Sequence, residues 1–384
     1  MQNGAKVLLV LLLITSSLVI VNKPAWASAQ DSWTPKASMQ EARASLGTTV
    51  VNGKVYAIGG YNAATSQSQS TVVGTNEEYD PSANTWIHKS PMLTPRSHFG
   101  IAVYENKIYC IGGYANSSVT AVNEVYDPAK DTWEIKASMP TARWGLKANI
   151  VDGKIYLIGG LPENLSSPKG NSNLNEVYDP ATDSWSTKTP IPTAICFYAS
   201  AVFEDKIYVL GGQSAIAENL NQIFDSTTDT WTLGMSLPKG LYYAAVAVTT
   251  GVNAPKRIYL IGGTGAGVPD GINQAYDPVT DSWTVGSSMP TSRINLAVAI
   301  VNDTLYAVGG YYWPTIGPTA PCAMNEQYTP MGYKTNSATP PPTNSPELSP
   351  SPSIPEFPSF LILLIPMGAI LFSAIAYKKR RLNH

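Results

Sequence analysis

The segment Lys54–Gly60 reads KVYAIGG: a short strand with a period-2 pattern that predicts one buried face, stopped by two glycines. The pattern returns five more times, as KIYCIGG, KIYLIGG, KIYVLGG, RIYLIGG and TLYAVGG, with glycine pairs at 112–113, 159–160, 211–212, 262–263 and 309–310. A self-similarity of this period decides architecture before any single residue does.

Outward from each glycine pair the chain runs through NEEYDP, NEVYDP, NEVYDP, NQIFDS, NQAYDP and NEQYTP. In five copies a tryptophan follows the aromatic by seven residues, giving Trp86, Trp133, Trp185, Trp231 and Trp283; the sixth copy has none. Asp-Pro between aromatic and tryptophan is turn chemistry, because Asp accepts backbone N–H groups and Pro presets φ. Upstream, Asn52-Gly53, Glu105-Asn106, Asp152-Gly153, Glu204-Asp205 and Asn302-Asp303 read as two-residue hairpin turns. Each unit therefore holds four antiparallel strands.

Spacing from tryptophan to the next glycine pair is 26 residues for Trp86, Trp133, Trp185 and Trp283, and 31 for Trp231, where TTGVNAP adds length. Trp33 also stands 26 residues before Gly59 and so occupies the same station. One spare terminal strand at the start matches one missing at the end. The expectation is a closed ring in which Asp31–Lys36 pairs beside Asn325–Pro330, removing the open edges of a linear array.

These residues resemble the kelch repeat: a basic residue opening the strand, IYxIGG, ExYDPxxxxW and a terminal MP. The resemblance covers Gln30 to about Tyr333 and implies a β-propeller. The fold class expected is all-β, a six-bladed kelch-type propeller over 30–334 closed by its N-terminal strand, with a C-terminal transmembrane helix. Phe224, Ser226 and Thr329 depart from the pattern and affect local turns.

Composition agrees with short strands and turns: 14% charged residues, 10% aromatics, 30 Gly and 30 Pro. Val7–Val21 behind Lys6, followed by a small-residue site at Ala27 or Ala29, reads as a secretory signal peptide over 1–29. Residues 335–358 are rich in Pro, Ser and Thr and read as a stalk; 359–377 form an apolar span, and 378–384 a basic cytoplasmic tail. The PEFPSF segment, the apolar run and KKRR together resemble archaeal C-terminal sorting signals, which implies an archaeosortase-type enzyme as a processing partner; the alternative is a permanent single-pass anchor. Either way the expected location is the cell surface, with the propeller outside.

Between the two ends lie 27 acidic and 19 basic residues, a formal charge of −8, which argues against nucleic acid as a partner. Cys110, Cys196 and Cys322 are too few for a disulfide framework. Asn116, Asn164 and Asn302 head glycosylation sequons.

Loops joining second and third strands vary most in length, and they emerge on the same face as the connections between units. That face is the expected seat of function. The connections carry Arg43, Arg96, Arg143 and Arg293, replaced by Ile195 and Leu241 in units four and five. Basic residues at this position line the channel mouth in some kelch proteins, and a guanidinium suits carboxylates; the competing reading has these arginines bonding loop carbonyls within the repeat. Trp144, Tyr198, Tyr242, Tyr311 and Trp313, with Phe197, Tyr243 and Tyr312, break the repeat near that face, either to grip a sugar or peptide or to pack blade seams. No metal or cofactor is expected: His88, His98 and His384 are the only histidines, and the copper oxidases of this repeat class need two His and a Tyr-Cys pair. The leading expectation is a surface-anchored module binding a protein or glycan. The alternative is a carbohydrate-active enzyme similar to kelch-type sialic acid mutarotases, with the four arginines holding a sugar carboxylate.

Overall fold

A computed structural model of the chain describes residues 30–62, 71–162, 170–313 and 320–334. The expected signal peptide, stalk, membrane span and tail, and the sequon at Asn164, lie outside the described residues. No α-helix occurs among the described residues. Instead they form six four-stranded antiparallel sheets, with smaller two- and three-stranded pieces at the loops.

Sheet one contains Gly47–Val51, Lys54–Ile58, Asn76–Asp80 and Thr85–Lys89, in that order. The next four sheets repeat this arrangement, and in each the first strand lies innermost. First strands of successive sheets touch in a closed circuit, Gly47–Val51 against Gly100–Tyr104 and onward until Ala297–Val301 meets Gly47–Val51 again. The sixth sheet is built from both ends of the described chain. Ala297–Val301, Thr304–Val308 and Asn325–Thr329 are completed by Ser32–Lys36, in the register Trp33↔Tyr328 and Lys36↔Asn325.

Turn chemistry follows the residues. Asn52 and Gly53 have φ of 50° and 72°, and the other four hairpin junctions share this left-handed pair, which matches the twist of the strands they join. The Asp80 carboxylate accepts the Ser82 and Ala83 amides. The glycine pairs are required by close approach as well as by φ: a Cβ on Gly60 would stand 2.6 Å from the Ala44 carbonyl oxygen. One expectation needs correction. The second strands are buried on both faces, with Val55, Tyr56, Ala57 and Ile58 at most 4% exposed, because each sheet is flanked by another on either side.

Two recurring joints tie each sheet to the next. The tryptophan of one sheet donates its indole N–H to a carbonyl in the preceding connection: Trp86 to Ala37, Trp133 to Ser90, Trp185 to Ala137, Trp231 to Thr189, Trp283 to Met235 and Trp33 to Ser287. The second joint is an Asn or Asp in a left-handed turn, which accepts an amide from the preceding connection. Asn84 takes Ala37, Asp131 takes Ser90, Asp183 takes Ala137, Asp229 takes Thr189, Asp281 takes Met235 and Asp31 takes Ser287. The N-terminal segment supplies the sixth member of both sets.

Candidate functional site

Each connection ends by placing one residue in the left-handed region next to the axis: Ser45, His98, Gly145, Phe197, Tyr243 and Asn295, with φ between 52° and 66°. Left-handed backbone is uncommon outside glycine, and for bulky Phe197 and Tyr243 it is costly unless the surroundings enforce it. Here the enforcing element is a closed ring of six backbone hydrogen bonds. His98 donates to Ser45, Gly145 to His98, Phe197 to Gly145, Tyr243 to Phe197, Asn295 to Tyr243 and Ser45 to Asn295, all at 2.8–3.1 Å.

These six residues line a mouth cavity of about 30 Å³ at the end of the axis. Around it the aromatics gather on the side of sheets two to five. His98 meets Trp144 at 5.3 Å and Phe197 at 5.6 Å between ring centroids, and Phe197 meets Tyr243 at 4.6 Å. Tyr242 stacks on Tyr243 at 4.9 Å, and Tyr114 lies 5.2 Å from Trp144. Trp144, Tyr242 and Tyr243 are half-buried, so part of each ring faces solvent. Burial, with the neighbouring Lys147 charge, pushes the His98 imidazole down to about 3 against the contribution of an Asn295 hydrogen bond, and the ring is neutral at physiological pH. No carboxylate lines this cavity. The mouth can stack rings and exchange hydrogen bonds, with His98 and Lys147 in its lining and no carboxylate beside them.

The four arginines are elsewhere. Arg43, Arg96, Arg143 and Arg293 are fully buried within their own sheets and do not reach the mouth. Arg43 donates to the Gly59, Thr75 and Ala57 carbonyls and to Glu77 at 2.9 Å. Arg143 pairs with Glu176 and Arg293 with Glu326, each at 2.7 Å, and both repeat the carbonyl contacts. Arg96 pairs with Glu124 at 3.1 Å and donates to the Cys110 carbonyl. The expectation that these groups bind a ligand is therefore corrected: their donors face the repeat's own glutamates and carbonyls.

Tyr198 borders the mouth cavity but is fully buried in the seam between sheets three and four, where its hydroxyl donates to the Ile158 carbonyl and accepts the Lys147 amide. Tyr311 and Trp313 lie on the mouth face in the loop between the second and third strands of sheet six; Tyr311 is half-buried and Trp313 is 50% exposed. Of the expected aromatics the structure brings together Trp144, Phe197, Tyr242 and Tyr243. His98 joins them, an association that its place in the sequence did not reveal.

The kelch motif matches residues 42–93, 95–140, 145–192, 194–238 and 250–290, and the chain belongs to the kelch-repeat family. It is similar to Kelch-like protein 26 of Danio rerio, 26% identical over 273 residues, which is 69% of this chain and 35% of that protein. The Influenza virus NS1A-binding protein of Homo sapiens is 40% identical over 79 residues, 21% of this chain and 11% of that protein. Kelch-like ECH-associated protein 1A of Danio rerio is 35% identical over 81 residues, 21% of this chain and 13% of that protein. The chain thus matches about a third or less of the length of these relatives. The solved structure of YjhT shares the fold with a TM-score of 0.62 at 15% identity, over 75% of this chain and 95% of that one.

Proposed function

We propose that the chain is a recognition module, a six-bladed propeller that binds a protein or glycan partner through the mouth face. The observation that carries this reading is the cluster of half-exposed Trp144, Tyr242 and Tyr243 held around neutral His98 on a hydrogen-bonded backbone ring. Rigid aromatics of this kind give large contact area at small entropic cost. Two relatives carry names that record association with another protein, which favours the same class of function.

The two ends of the described chain lie at one end of the propeller. Gln30 bonds the Tyr333 carbonyl, and the Lys334 amide bonds Asn253, in the long turn between the first two strands of sheet five. That turn lies at the opposite end of the innermost strands from the ring residue Tyr243. We read the protein as a cell-surface, single-pass membrane protein with the propeller outside, and sorting-enzyme processing as part of that reading.

The mutarotase-like alternative needed the arginines to converge on a pocket beside an acid or base. They are dispersed among four sheets, so the binding reading is preferred. The test is a glycan array and a surface pull-down with the full-length chain, repeated with Trp144→Ala and Tyr242→Ala. Partner binding falls at least tenfold in both variants while the melting temperature stays near wild type. Undiminished capture would remove the mouth from the account.

A further inference from the structure

One station on the axis breaks the repeat in a way that the mouth's aromatics do not explain. The second residue after each ring position is Gly47, Gly100, Lys147, Ala199, Ala245 and Ala297: five small residues and one long cation. Lys147 lines both the mouth cavity and a second, axial cavity of about 160 Å³, to which the innermost strand of every sheet contributes. The other polar side chains of the axial cavity are the hydroxyls of Thr48 and Ser200; no carboxylate lines either cavity. Burial alone acts on the Lys147 ammonium, lowering its pKa from the usual lysine value, and no acidic group offsets it.

A half-buried cation without a counter-charge carries a desolvation cost, which is relieved by losing the proton or by acquiring an anion. His98, its charged-when-protonated neighbour, is neutral and supplies no negative charge. The cavity has the volume for an organic ion: an engineered apolar cavity of about 150 Å³ accepts benzene. Small residues at the other five stations leave that space open around the single ammonium.

We propose that the axial cavity binds a small carboxylate, with the Lys147 ammonium as its counter-charge and the Thr48 hydroxyl as a further donor. The axial site shares Lys147 with the wall of the mouth cavity but uses none of the mouth's exposed aromatics. The chain has a formal charge of −2, so its surface offers no general attraction for anions and saturable uptake would report a specific site.

The test is calorimetric titration of the full-length protein with sodium acetate, against sodium chloride at matched ionic strength. Wild type shows saturable acetate binding, Lys147→Met loses it by tenfold or more, and Lys147→Arg retains it. Absence of saturable acetate binding to wild type overturns the proposal, as does equal affinity in Lys147→Met. A measurement needing no variant covers the case in which substitution unfolds the protein: acetate must shift the side-chain resonance of Lys147 in wild type, and an unmoved resonance at saturating acetate overturns the site. Because partner capture by the mouth is read separately through Trp144 and Tyr242, failure here leaves that reading standing.

Discussion

Trp33 stands directly across from Tyr328, their ring centroids 5.0 Å apart, although 295 positions separate them in the chain. In sheet one the equivalent pair, Tyr79 and Trp86, is joined by a tight turn and has the same geometry, at 4.9 Å. The sixth sheet thus replaces a covalent hairpin with a meeting of the two ends. Its stability depends on side-chain joints that the other sheets supplement with connectivity, and loop closure between such distant segments carries an entropic cost that those joints must offset.

Asp31 is the sharpest of these joints. Its carboxylate accepts the Ser287 amide at 2.6 Å and the Tyr328 hydroxyl at 2.8 Å. Asp31→Ala leaves both donors unmatched, and the expected loss is about 1–3 kcal/mol by chemical denaturation. Asp229→Ala, in an internal sheet, costs less, since among the described residues the Thr189 amide alone donates to it. Equal effects would show that the terminal joint has no special weight.

The buried arginines make a second prediction, in which a further substitution restores what the first removes. Arg143→Ala strands Glu176 in the interior and destabilises the protein by roughly 3–5 kcal/mol. Arg143→Leu combined with Glu176→Gln recovers most of that loss, because sheets four and five already use this apolar-and-amide combination in Ile195 with Gln222 and Leu241 with Gln274. A double variant as unstable as the single would refute the pairing.

That substitution pattern also explains where sequence reasoning stopped. Sixfold repetition supplied its own alignment, so the strands, the hairpin turns and the pairing of Asp31–Lys36 with Asn325–Pro330 were all legible. An arginine's affinity for carboxylates says nothing about whether the carboxylate belongs to a ligand or to the repeat. The answer lay in the joint loss of charge at Ile195 and Gln222 and at Leu241 and Gln274. Trp144 and Tyr242 were legible as repeat breakers; Tyr198, of the same type, is buried because its hydroxyl reaches a carbonyl across the seam. Lys147 escaped notice because its signal is the smallness of five other residues. The ring of left-handed residues had no signature, since its shared feature is a backbone angle imposed by neighbouring sheets.

Acid should unfold the protein in two stages. The native His98 value of about 3 lies below the ordinary 6.5, so the unfolded chain takes up the proton first; stability is intact above 6.5 and declines as pH falls towards 3. The Tyr126 and Tyr178 hydroxyls hold the Asp131 and Asp183 carboxyls below their ordinary 3.8, so that contribution is present above 3.8 and lost below it. His98→Asn, a residue that tolerates left-handed backbone and already serves at Asn295, flattens the first stage and leaves the second. Denaturation midpoints from pH 7 to 3 measure both, and an unaltered slope between 6.5 and 4 would contradict the assignment to His98.

Closure of the ring by the N-terminal strand is tested most directly by cross-linking. Thr34 and Gln327 are opposite one another in the sixth sheet, and the native cysteines at 110, 196 and 322 are buried. Full-length protein carrying Thr34→Cys and Gln327→Cys is expected to form an intramolecular bond under mild oxidation, while Thr34→Cys paired with a cysteine at Thr187, in sheet three, does not. Failure of the first pair to join, with both thiols open to labelling in the folded protein, would mean that the ends do not meet.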